Sequence, residues 1–84
     1  MKIEVTQKDI DKGIQGECQL CPIARAIKRS SNFKRVYVTT KYIEVLHYGT
    51  GVKTYELPKK AQTFIRCFDR QEPVKPFSFE LENL

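Results

Sequence analysis

The chain switches between two hydrophobic rhythms, and the switches mark its elements. Lys2 to Val5 alternates polar and apolar residues, with Ile3 and Val5 on one side, and reads as a first strand. Thr6 then stands where a helix N-cap is expected, because its hydroxyl can accept from the amides of the next turn. Asp9 lies in that first turn, where a negative charge suits the helix dipole. The helix is short: Gly13 and Gly16 stop it, leaving Ile10 and Ile14 as the expected buried pair. A second helix is predicted from Pro22, with Ile23, Ala24 and Ile27 as its apolar face and Lys28 and Arg29 closing it.

The period of two returns after the Ser30-Ser31-Asn32 loop. Lys34 to Thr39 places Val36 and Val38 on one face, and Lys41 to Tyr48 is rich enough in β-branched and aromatic residues to predict a central strand apolar on both faces. Gly49-Thr50-Gly51 supplies the positive φ angles of a tight hairpin, and Val52 to Leu57 returns antiparallel. Two hairpins in series predict a three-stranded meander. Pro58 opens the most regular helix, in which Ala61, Phe64, Ile65 and Phe68 fall at i, i+3, i+4 and i+7. Pro73 and Pro76 bar its continuation, and Phe77, Phe79 and Leu81 alternate in a last strand of edge type. The expected architecture is a single α+β domain over residues 1–84, in the order β-α-α-β-β-β-α-β, with helices packed on a mainly antiparallel sheet.

Length bounds what this domain can do. Eighty-four residues form a modest core, which excludes elaborate multi-domain enzymes. Nine aromatic residues (five Phe, four Tyr) exclude a solvated disordered tail. No apolar run approaches a membrane span, and Lys2, Glu4, Lys8 and Asp9 interrupt any signal-peptide core, so a cytoplasmic protein without a membrane partner is expected.

The net charge of +5 is unevenly placed. From Arg25 to Lys60 nine cations stand against two anions, Glu44 and Glu56, while the remaining residues are slightly acidic. A block of one sign draws anionic partners, whereas the same residues spread over a surface would only keep the protein soluble. Arg25 and Arg29 are one turn apart on the second helix, a spacing suited to phosphate oxygens. With Lys34, Arg35 and Lys41 they form the candidate phosphate set. Tyr37 and Tyr42 are the candidates for stacking on a base; as ordinary strand residues they would simply cover the sheet.

Cys18-Gln19-Leu20-Cys21 has the spacing of half a zinc site and also of a dithiol at a helix start. Zinc would need Cys67 and His47 to complete the set with Cys18 and Cys21, and no second paired motif demands it. Dithiol folds place the motif directly after the first strand, and here a helical segment and two glycines intervene. The cysteines are therefore expected to be small buried hydrophobes, and no metal or cofactor is assigned. His47 has no nucleophile or carboxylate held near it by spacing, and the glycines match no phosphate-binding loop, so a non-enzymatic protein is expected.

One resemblance adds context. Val5-Thr6 with Asp9-Ile10 and Gly13, Cys21-Pro22-Ile23-Ala24 with Ala26-Ile27 and Arg29, and later Leu57-Pro58, Phe64-Ile65, Phe68-Asp69, Glu72, Val74 and Pro76-Phe77-Ser78-Phe79 resemble a family of short accessory proteins encoded by bacteriophages and prophages. The resemblance covers both ends of the chain and carries no assigned activity. It implies a protein of the host bacterial cytoplasm that acts on the host. The leading expectation is an inhibitor of anti-phage immunity that sequesters a nucleotide second messenger on its basic face, with an oligomer interface burying the ligand. The alternatives are an anti-CRISPR-type inhibitor bound to a host nuclease complex, and a small nucleic-acid-binding regulator.

Overall fold

The computed structural model of the chain describes residues 1–49 and 51–81. Among the described residues the order is β1 (Lys2–Val5), α1 (Gln7–Lys12), α2 (Pro22–Arg29), β2 (Arg35–Val38), β3 (Tyr42–His47), β4 (Gly51–Glu56), α3 (Lys59–Asp69) and β5 (Phe77–Glu80). The α+β order read from the periodicity is the observed one. The strands form two antiparallel sheets. The meander β2-β3-β4 is one, and the ribbon β1-β5 is the other. Ile3 pairs with Phe79 in the ribbon, and the ends of the described chain extend it, Met1 and Leu81 exchanging bonds of 2.8 and 2.9 Å.

Helix α2 joins the two sheets, packing against β1, β2 and α1. Its apolar face buries Ile23, Ala24, Ala26 and Ile27 completely, and the alanines let the neighbouring backbones approach. Entry into α2 is tight. A Cβ on Gly13 would come within 2.6 Å of Pro22 Cδ and 2.8 Å of the Asp9 carbonyl oxygen, so only glycine fits between α1 and the start of α2. On α3 the stripe Ala61, Phe64, Ile65 and Phe68 is buried as its spacing requires. Phe64 meets the Phe77 ring at 4.7 Å, which seats the helix against β5. Gln71 ends the helix at φ 62°, and Glu72 N–H donates back to the Cys67 carbonyl.

Two expectations are corrected. Helix α1 stops at Lys12, so Ile14 falls beyond it and is 49% exposed, whereas Ile10 packs against the core. Strand β3 is central in the meander but buries only one face, with Ile43 and Val45 inside and Tyr42 and Glu44 exposed. Among the described residues no helix covers its other face, because α2 and the core lie on the side of Val36, Val38, Ile43 and Val45. Gly49 and Gly51 adopt positive φ in the β3-β4 hairpin, as their glycine identity predicts; Thr50 lies outside the described residues.

Candidate functional site

Two of the five expected phosphate cations are committed to the protein itself. Thr6 and Asp9 form a capping box: the Thr6 hydroxyl accepts from Asp9 N–H at 3.3 Å, and Thr6 N–H donates to Asp9 Oδ2 at 2.9 Å. That turns the Asp9 carboxylate inward, where it is fully buried. Arg29 Nη1 reaches Asp9 Oδ1 at 2.5 Å while Nη2 donates to the Glu4 carbonyl at 2.8 Å. Arg25 Nε stands 3.9 Å from the same carboxylate oxygen. Burial alone would push the Asp9 carboxyl pKa up; hydrogen bonds from Arg29 and Thr6 outweigh it, and the pKa lies below the ordinary carboxylate value. The shared face of Arg25 and Arg29 is real, and it is turned toward an internal anion.

Lys34 and Arg35 are placed differently. They line a cleft of about 480 Å³ together with Lys28, Gln19, Leu20 and Val36. Three cations therefore face one cleft, and among the described residues no acidic one lines it. Lys28 Nζ donates to the Lys34 carbonyl, which fixes the end of α2 to the start of β2. The opposite wall is the loop before α2, held by Ile14 N–H to the Leu20 carbonyl at 2.9 Å and by Val38 N–H to the Cys18 carbonyl at 2.8 Å. The second bond shows that Val38 turns its amide to the outer edge of β2. Alternation along an antiparallel strand then turns the Val36 amide to the same edge, beside the cations. Lys28 was not among the predicted site residues, because a cation in a last helical turn reads as a dipole complement. Its one available signal was a position two residues before the loop that leads to Lys34.

Arg35 connects this cleft to the open face of the meander. Its Nη1 lies 3.5 Å from the Tyr37 hydroxyl, two residues along the same strand face. The register defines that face: Arg35 beside Leu46 and Val52, Tyr37 beside Glu44 and Thr54, and Tyr42 beside Glu56. Tyr42 is 53% exposed and Val52 59%. Lys41 sits exposed in the β2-β3 turn and does not line the cleft. Lys60 lies over the Phe77 ring at 5.9 Å, on the α3 side. The cations of residues 25–60 are thus divided among several surfaces.

The cysteine set is not brought together. Cys18 is exposed, Cys21 buried and Cys67 half-buried, so the expectation of buried cysteines holds in full only for Cys21. Cys21 caps α2, its Sγ accepting from Ala24 N–H at 3.5 Å. Burial nevertheless pushes its thiol up to about 11, opposite to the lowered value a redox dithiol needs. His47, half-buried on β3, presents its ring edge-on to Phe33 at 4.9 Å. Among the described residues no three His, Cys, Asp or Glu side chains converge as a metal site requires. Also among them, no helix is long and apolar enough to cross a membrane.

No family model, no curated protein and no solved structure matches this chain.

Proposed function

We propose that the protein binds a nucleotide through its phosphates and holds it without chemical turnover. The observation that carries this reading is the cleft of Lys28, Lys34 and Arg35, three cations with no lining acid among the described residues, joined through Arg35 to the tyrosines of an open sheet face. Phosphate oxygens would take the two ammonium groups and the planar fork of Arg35, whose bidentate geometry suits them. Tyr37 and Tyr42 stand where the base of such a ligand would stack. The cleft lining is cationic, amide and aliphatic, a set that binds phosphate and offers no nucleophile–base pair.

The resemblance to phage accessory proteins supplies the role. A small phage protein that captures a nucleotide second messenger in the bacterial cytoplasm would silence the defence which that messenger activates. Calorimetric titration with cyclic di- and trinucleotides and with ADP-ribose derivatives tests the reading; heat with at least one is expected, and none with any would contradict it. A second reading, an inhibitor that docks on a host defence protein, draws on the exposed Tyr42, Tyr48 and Val52 of the meander. Recovery of one stoichiometric protein partner from nucleotide-free host lysate would favour it.

A further inference from the structure

On the open face of the meander, half-buried Tyr37 and exposed Tyr42 are each paired with a carboxylate. Tyr37 stands directly opposite Glu44 across β2 and β3, and Tyr42 directly opposite Glu56 across β3 and β4. Directly opposed residues have Cβ atoms about 5 Å apart. Neither glutamate engages another described side chain in a hydrogen bond or ion pair, and both are exposed. Carboxylates are poor neighbours for a phosphate chain, so their presence beside both rings needs a reason in a phosphate-binding protein.

The edge of a base supplies one. Guanine presents two adjacent donors on its Watson–Crick edge, N1–H and the N2 amine, and a carboxylate accepts both. Adenine and cytosine each set an acceptor beside their amine, which would face the carboxylate with repulsion. Uracil offers one donor between two acceptors. A base laid on a tyrosine ring brings its edge over the neighbouring strand, where the glutamate stands.

Spacing agrees with this arrangement. Arg35 and Tyr37 are two residues apart on one strand face, and Arg35 Nη1 lies 3.5 Å from the Tyr37 hydroxyl, so a phosphate held by the guanidinium stands next to a base laid on that ring. Tyr37 and Tyr42 are diagonal neighbours in the register, about 7–8 Å apart, so two linked nucleotides can each meet a ring.

We infer that the ligand is a guanine dinucleotide, its bases stacked on Tyr37 and Tyr42 and read by Glu44 and Glu56, with its phosphates at Arg35, Lys34 and Lys28. This rests on the proposed nucleotide-binding role and names the base class of the same site. The test is calorimetric titration of the full chain with the linear dinucleotides pGpG, pIpI and pApA. The wild-type protein binds pGpG at least about tenfold more tightly than pApA, since each lost charged hydrogen bond is worth about that factor or more. Inosine keeps N1–H and lacks the N2 amine, so pIpI falls between them. In a Glu44→Gln, Glu56→Gln variant the three affinities converge within about threefold. Equal binding of pGpG and pApA by the wild type overturns the guanine assignment and leaves the phosphate cleft standing. A preference unchanged in the double variant overturns it also, by placing base recognition elsewhere. No binding of any of the three overturns this inference, and charge-independent binding that survives Lys34→Glu with Arg35→Glu overturns the cleft as well.

Discussion

Arg29 and Lys34 lie five residues apart in sequence and carry the same charge, yet the protein uses them in opposite ways. Arg29 closes an internal ion pair with Asp9, whose position is set by a capping box at the start of α1. Lys34 shares a cleft with two other cations and, among the described residues, no anion. A charge count cannot separate the two cases. The buried carboxylate can, because it consumes two cations of the basic segment and leaves the cleft as the concentrated remainder. The first region is an anchor that holds β1, α1 and α2 together; the second is a surface whose field is unanswered from within.

The largest break in that comparison is Asp9→Ala. It removes the capping box and the charged hydrogen bonds to Arg29, and leaves Arg25 and Arg29 facing an empty internal position. A loss of about 3 kcal/mol is expected from these together. For a domain of this size that is a fall of roughly 15 °C in Tm by calorimetry. A variant within a few degrees of the wild type would show that Asp9 is not the anchor.

Acid tests the same link without mutation. The Asp9 pKa is lowered on folding from the ordinary 3.8, so its contribution is fully present above that value and is lost as pH falls through the folded pKa. Urea midpoints should therefore fall below about pH 4 more steeply in the wild type than in Asp9→Asn. Parallel slopes would contradict the assignment.

Lys28→Ala probes the other region. Its side chain is exposed and makes one hydrogen bond, to the Lys34 carbonyl, so stability should fall by about 1 kcal/mol or less. Nucleotide affinity should drop several-fold, on the order of 1 kcal/mol for one charged contact at a partly solvated site. A stability loss as large as that of Asp9→Ala would erase the distinction between anchor and cleft.

The cysteine pair repeats the contrast at the smallest scale. Cys18 is exposed, and burial holds the Cys21 thiol at about 11. Iodoacetamide at pH 8 should label Cys18 and spare Cys21 in the native protein, as read by peptide mass spectrometry. Equal labelling would mean that α2 opens at its start.

Much of the fold was legible because single residues act locally. Pro22 and Pro58 mark helix starts, Gly49 and Gly51 take the positive φ of the hairpin, and the α3 stripe is buried at its predicted spacing. What escaped depends on distant partners. Gly13 marks the end of α1, and it was the i, i+4 spacing of Ile10 and Ile14 that carried the expected buried face past it; nothing in β3 reveals that only one of its faces is buried. The β1-β5 pairing joins opposite ends of the chain, beyond the reach of any local pattern. Asp9 is instructive, since Thr6-x-x-Asp9 is a capping-box spacing that ties the carboxylate to the Thr6 amide, whereas its burial beside Arg29 depends on a residue far along the chain. The candidate site divided in the same manner. Lys34 and Arg35 line the cleft, Tyr37 lies beside Arg35, Tyr42 stands farther along the open face, Lys41 sits in the β2-β3 turn, Arg25 and Arg29 turn to Asp9, and Lys28 was visible only once α2 and β2 were side by side.

The most direct measurement is the calorimetric titration of Lys34→Glu, Arg35→Glu with pGpG, run beside a thermal scan of the same sample. If the cleft is the anion site and the Asp9 pair is the anchor, affinity falls by about a hundredfold or more, on the order of 1.4 kcal/mol per reversed charge, while Tm stays within a few degrees. Undiminished affinity at unchanged Tm would contradict the division of charge between the two regions.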